Sequence, residues 1–122
     1  MRILLVEDDS LNIELFEAAL ESEGHRVSVE RDGIAGQMRA LSESFDLILL
    51  DIQLPRRTGL EVCRGLRSAG VETPIVALSA SVLRDEVART TEAGFTEFLA
   101  KPIAPEVLRA AVRAYQPSAR AS

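Results

Sequence analysis

Three aliphatic runs and one mixed segment in this 122-residue chain lead to polar residues that can do chemistry. Ile3-Leu4-Leu5-Val6 leads to Glu7-Asp8, Leu47-Ile48-Leu49-Leu50 to Asp51, and Ile75-Val76-Ala77-Leu78 to Ser79; the segment Phe95 to Leu99 leads to Lys101-Pro102. If the runs are parallel strands, their carboxyl ends share one crevice, the place where open α/β sheets bind ligands. Three carboxylates, a hydroxyl and an ammonium would then meet there. Carboxylates within several ångströms of one another repel unless a positive charge is shared among them. A hard divalent cation suits this donor set, because Mg²⁺ takes oxygen ligands, keeps several waters and uses one or two carboxylates plus a phosphoryl oxygen. With that charge screened, Asp51 can act as a nucleophile toward phosphorus, aspartyl phosphate being a known covalent class. Phosphoryl transfer asks mainly for positioning and neutralisation. Lys101 supplies charge, Ser79 a hydrogen bond, and the small Ala80 leaves room. Singly, each residue has an ordinary explanation: Asp51 and Ser79 as turn residues, Glu7 to Asp9 as a helix-start cluster, Lys101 as a solvated charge. Their joint occurrence at four run ends points to function.

The elements that must position them follow from periodicity. Arg2–Val6 reads as a strand, and Leu11, Leu15, Phe16, Ala19 and Leu20 recur at helical spacing before Gly24. His25–Val29 reads as a more exposed strand, with His25 itself a solvent-exposed turn residue. A helix follows from Asp32 or Gly33 to Glu43, weakened by Gly33 and Gly36. The run Leu47–Leu50 is apolar throughout, as a strand buried on both faces requires. Thr58-Gly59-Leu60-Glu61 fits a capping box and opens a helix that stops at Gly70. Pro74–Leu78 is a strand, about Ser81–Glu92 a helix closed by Gly94, and Phe95–Leu99 the fifth strand. Pro105 opens the last helix, with Leu108, Ala111, Val112 and Tyr115 on one face. Five strands alternating with five helices predict an α/β doubly wound parallel sheet with right-handed crossovers, in the flavodoxin-like order 2-1-3-4-5. Residues 1–116 form one domain, and 117–122 read as a flexible tail.

Composition narrows the function further. Forty-seven per cent hydrophobic but only 4% aromatic residues imply an aliphatic core. A single cysteine forms no internal disulfide, which suits a reducing cytosol, and Cys63 within a helical pattern reads as a small buried residue. The apolar runs fall far short of the roughly 20 residues that span a bilayer, and no signal-peptide pattern begins the chain, so a cytoplasmic protein without membrane insertion is expected. A net charge of −5 disfavours direct nucleic-acid binding.

The order Val6-Glu7-Asp8, Asp51 with Pro55 and Gly59 after it, Ser79-Ala80, and Phe98 three residues before Lys101-Pro102 resembles the receiver domain of two-component response regulators, over Arg2 to about Tyr115. The resemblance implies that Asp51 is the phosphoacceptor, charged from a phosphohistidine on a histidine kinase or phosphotransfer protein. It implies Mg²⁺, which Mn²⁺ can replace, held by Glu7, Asp8, Asp51 and the backbone carbonyl of Gln53, with Lys101 on the phosphoryl group. It implies a cis Lys101-Pro102 peptide, and Gln53 and Ser81 as residues that tune dephosphorylation. Ser79 and Phe98 become the switch: Ser79 moves to the phosphoryl oxygen, Phe98 turns inward, and the surface of the fourth helix, fifth strand and fifth helix is remodelled for a downstream partner. Such a protein is a signalling phosphoacceptor that catalyses its own phosphorylation and dephosphorylation, not an enzyme acting on others. It is a monomer or a phosphorylation-dependent dimer.

Departures from the pattern carry expectations of their own. Glu7 stands where Asp is usual, so its longer arm reaches the metal through water. Phe98 lacks a tyrosine hydroxyl, Ala104 weakens the last N-cap by about 1 kcal/mol, and Asp9 caps the first helix instead of binding metal. Two rivals from other classes fit poorly. An aspartyl phosphatase of the haloacid dehalogenase family wants a second Asp where Gln53 stands, and a Rossmann-type nucleotide domain wants glycines where the three acids stand. A receiver-like module that is never phosphorylated remains as the alternative, as does a receiver excised from a hybrid kinase; a free-standing single-domain receiver is preferred.

Overall fold

The computed structural model describes residues 1–80 and 83–116. Five strands, β1 (Arg2–Val6), β2 (Arg26–Glu30), β3 (Leu47–Asp51), β4 (Ile75–Ser79) and β5 (Glu97–Ala100), alternate with α1 (Ser10–Glu21), α2 (Gly33–Ser42), α3 (Gly59–Ser68), α4 (Arg84–Ala93) and α5 (Pro105–Arg113). All pairings are parallel and the order is β2-β1-β3-β4-β5, as expected. The three central strands carry unbroken aliphatic runs, Ile3–Val6, Leu47–Leu50 and Ile75–Leu78, because both faces are covered. Alternate residues go to opposite layers: Leu4, Val6, Ile48, Leu50 and Ala77 pack with α2, α3 and α4 residues, while Ile3, Leu5, Leu47, Leu49, Val76 and Leu78 pack with α1 and α5 residues. β2, on the edge, is only half-buried.

The helix ends obey local chemistry. Asp9 accepts from the Asn12 amide at 2.9 Å, and Asp32 from the Ala35 amide at 2.8 Å. Thr58 and Glu61 form the expected capping box. Gly94 ends α4 in the left-handed region at φ 103°, which residues with a Cβ resist. Ala104 provides no side-chain cap to α5, whose start relies on Pro105. Cys63 is fully buried, and burial pushes its thiol up to about 11, well away from reactive range.

Several boundaries differ from the sequence reading. β5 begins at Glu97 instead of Phe95, because the Phe95 amide is still bonded to the Thr90 carbonyl at the end of α4, at 3.1 Å. α4 is described from Arg84; the expected start at Ser81 and the tail 117–122 lie outside the described residues. His25 is the clearest correction. It is buried, its amide bonds back to the Leu20 carbonyl, and its Nδ1 lies 3.1 Å from the Met1 amine. Burial first, then the amine, lowers its pKa, so the ring stays neutral in its place.

The two doubtful glycines of α2 have a packing reason. A Cβ on Gly36 would stand 2.7 Å from Val6 Cγ1, and one on Gly33 would strike the Arg57 carbonyl oxygen. An exposed helix-interior Gly→Ala change gains roughly 0.5–1 kcal/mol. Here overpacking reverses the sign, so Gly36→Ala should lower stability by about 1–3 kcal/mol. Urea denaturation checks this, and a raised midpoint refutes the account.

Candidate functional site

Because the strands run parallel, the ends of β1, β3, β4 and β5 open on one crevice. Glu7 follows β1 and is fully buried, Asp8 beside it is exposed, Asp51 ends β3 almost fully buried, and Ser79 ends β4 fully buried. Lys101 follows β5, held by its amide bond to the Ser79 carbonyl at 2.7 Å. Its ammonium reaches across the sheet to Asp51 Oδ2 at 2.9 Å and Glu7 Oε1 at 2.7 Å. Asp51 Oδ1 accepts the Gln53 amide at 3.0 Å, and Glu7 Oε2 the Asp9 amide at 3.1 Å. These contacts fix both buried carboxylates before any ligand arrives.

The electrostatics are unbalanced toward negative charge. Burial is the largest influence on Glu7 and holds its pKa above the ordinary 4.5; Lys101 pulls it down and Asp51 pushes it up again. Burial works against the Lys101 charge, but the hydrogen bonds and charges of Glu7 and Asp51 outweigh it and raise its pKa. Lys101 therefore stays an ammonium throughout the neutral range. Ligand oxygens of Glu7, Asp8 and Asp51 all lie within 4.8 Å of one another. Glu7 Oε1 is sealed from water and faces the Lys101 ammonium at 2.7 Å. A buried oxygen in that state, with two carboxylates beside it and Asp8 opening to solvent, fits a hard divalent cation.

The remaining expected residues are placed as follows. Gln53 is exposed two residues after Asp51, and its amide role toward Asp51 goes beyond the sequence reading; the signal is the preference of Asp to accept from the amide two residues on. Phe98 is half-buried on β5, paired with Ala77 and packed against the α2–α4 layer. Lys101-Pro102 is cis. Ser81 lies outside the described residues. Gly59, named in the sequence as part of the motif after Asp51, has a packing role there: its amide bonds the Ile52 carbonyl at 2.8 Å, and a Cβ would strike the Asp51 carbonyl oxygen, so α3 is docked directly on the Asp51 backbone.

Neutralising single members of this cluster should move stability in opposite directions. The folded state holds the Glu7 proton more tightly than the unfolded chain, so this group's favourable contribution is present below about pH 4.5 and is lost as pH rises through its folded value. Without divalent ions, Glu7→Gln should raise the melting temperature at pH 7 by about 4 °C, the shift of roughly 1 kcal/mol, and the gain should vanish below pH 4.5. Lys101→Ala leaves two buried carboxylates facing each other and should cost about 3 kcal/mol, partly recovered by millimolar Mg²⁺. Calorimetry across pH and Mg²⁺ checks both; a Glu7→Gln variant less stable than wild type at pH 7 contradicts the charge balance.

The family of response regulator receiver domains matches residues 3–113. The response regulator protein PmrA of Pseudomonas aeruginosa is 43% identical over 117 residues, covering 93% of this chain and 52% of that protein. The sensor histidine kinase AruS of the same organism is 43% identical over 118 residues, covering 92% of this chain but 12% of the kinase. This chain thus spans about half the length of the response regulators it matches and a small part of the kinase. Among solved structures, chemotaxis protein CheY4 of Vibrio cholerae superposes with a TM-score of 0.88 at 26% identity, covering 94% of this chain and 98% of that one. The receiver domain of a sensor histidine kinase from Pseudomonas aeruginosa PAO1, solved with magnesium ion coordinated in its active site cleft, gives 0.86 at 35% identity, covering 93% and 95%. With the family matched across nearly the whole chain, this chain belongs to the response regulator receiver domains of two-component signalling.

Proposed function

We propose that the chain accepts a phosphoryl group on Asp51 in a Mg²⁺-dependent reaction, from the phosphohistidine of a histidine kinase or histidine phosphotransfer protein. The observation that carries this is the convergence of Glu7, Asp8 and Asp51 oxygens within 4.8 Å, with Lys101 bridging the two buried ones. Glu7, Asp8, Asp51 and the Gln53 carbonyl would hold the ion, which supplies positive charge to the transferring oxygens. An Asp51 carboxylate oxygen attacks phosphorus, the donor P–N bond breaks, and the imidazole departs with its electron pair. The Gln53 amide orients the Asp51 carboxylate, and Lys101 shifts its bond from carboxylate to phosphoryl oxygen as charge develops there. Water later attacks phosphorus, the bond from phosphorus to the Asp51 oxygen breaks, and inorganic phosphate leaves; Gln53 and Ser81 are the residues that tune this step.

The phosphoryl group then shifts a two-state equilibrium, because it bonds one state better than the other. Ser79, at the buried end of β4, turns its hydroxyl to the new oxygen, and half-buried Phe98 moves into the vacated space. Since Ser79 and Phe98 sit on adjacent strands, the change reaches the α4–β5–α5 face, where a downstream partner docks or the protein pairs with itself. The chain acts in the cytoplasm, without binding nucleic acid or inserting in membrane itself. The partial match to a sensor histidine kinase supports a second placement, as a relay receiver that passes its phosphoryl group to a phosphotransfer protein.

Incubation with acetyl phosphate and Mg²⁺ should add one phosphoryl mass to the intact protein, abolished by chelation and absent from Asp51→Asn. If neither small-molecule donors nor a phosphorylated kinase yields an adduct, the passive-module reading takes its place. Ser79→Ala should still form the adduct, but lose most of the amide shift changes that phosphorylation produces across α4, β5 and α5. Shift changes as large as those of the wild type in that variant would contradict the switch.

A further inference from the structure

α2 leaves an apolar stripe in water. Ile34, Met38 and Leu41, spaced so as to share one helix face, are 39%, 65% and 50% exposed. With Gln37 and Arg57 they line a shallow groove between α2 and the loop that joins β3 to α3. Arg57 reaches over it to Gln37 Oε1 at 2.9 Å, and Gln37 packs on Gly65 of α3. The charged residue that lines this groove, Arg57, is opposite in sign to the net charge of the chain. The net charge of the whole sequence is −5, yet residues 33–42 and 52–68 contain five arginines, with Glu61 as their sole acid. Arg39 is paired with Glu30 and Glu43, and Arg67 is tied to the carbonyls of Val71, Thr73 and Gly94, which leaves Arg57 in the groove lining and Arg56 and Arg64 exposed on the same loop and on α3. Glu61 is occupied by the Thr58 cap.

We propose that this α2–α3 face is a docking groove for an acidic amphipathic helix of a partner protein. The occupant's apolar residues lie along Ile34, Met38 and Leu41, and its carboxylates meet Arg56, Arg57 and Arg64. A concave groove with a single three-residue apolar stripe matches the helix-in-groove mode. A lipid surface would need a broader protruding apolar face. Basic residues on an otherwise acidic chain repel no acidic partner locally, while the rest of the surface rejects it, so the location is specific. The groove also adjoins the loop after Asp51: Arg57 of that loop lines it, and the Gly33 amide at the start of α2 bonds the Pro55 carbonyl at 3.2 Å. Docking itself does not depend on phosphorylation and is tested without it.

The test is selection from a randomised helical-peptide display library on the full, unphosphorylated chain. Non-specific attraction to this chain would enrich basic peptides. The expected enrichment is of acidic peptides with one apolar stripe, whose leading synthetic member binds saturably and shifts the amides of Ile34, Met38, Leu41 and Arg57. Met38→Glu and Arg57→Glu, each checked for an unchanged circular dichroism spectrum, should weaken that binding at least about tenfold. No enrichment, enrichment of basic or neutral peptides, or shifts elsewhere overturn the proposal. So does Met38-dependent binding to phosphatidylglycerol vesicles, or a Met38-dependent rise in mass in light scattering without peptide, which assign the face to lipid or to a second copy.

Discussion

Two carboxylates and one ammonium are held out of water at the edge of this sheet, and the rest of the site is arranged around their imbalance. Lys101 bridges Asp51 and Glu7, but one positive charge does not offset both buried acids together with Asp8 at the mouth. Removing charges from water costs several kcal/mol per ion unless geometry and hydrogen bonds compensate. The amides of Gln53 and Asp9 supply part of that compensation, and the raised pKa of Glu7 marks what is left over. Strain of this kind is typical of sites whose charge is completed by a ligand.

The sheet can carry that strain because its interior is rigid. Ile3 to Val6, Leu47 to Leu50 and Ile75 to Leu78 are buried on both faces, so the residues after them have little freedom to swing apart. α3 is seated on the Asp51 backbone through Gly59, and α2 on the following loop through Gly33. Two glycines that weaken helix propensity are thereby traded for close approach around the phosphoacceptor candidate. On the other side of Asp51, β4 and β5 carry Ser79, Phe98 and Lys101 within one hydrogen-bonded pair of strands. A change of charge at Asp51 therefore meets two distinct mechanical neighbourhoods, one tightly packed and one ending in the thinly buried helix α4.

Surface charge divides along similar lines. The acidic excess of the chain lies outside α2 and α3, whereas arginines collect beside the exposed stripe of α2. Burial alone does not demand this arrangement, since the core is complete without Ile34, Met38 or Leu41.

The local rules written in the chain were enough for its elements and for the residues at their ends. Asp9, Asp32 and the Thr58–Glu61 pair act within a turn of their own positions, so their capping is legible without neighbours. Continuous aliphatic runs declare double burial, and parallel topology then brings Glu7, Asp8, Asp51, Ser79 and Lys101 to one edge. What sequence could not decide were contacts between residues far apart in the chain. His25 reads as an exposed turn but is covered; Gly36 reads as a weak point but makes room for Val6; Phe95 reads as strand but still serves the end of α4. The way Lys101 divides itself between Glu7 and Asp51 belongs to the same class, because distance and burial set a charge's partners, and only the packed chain defines either.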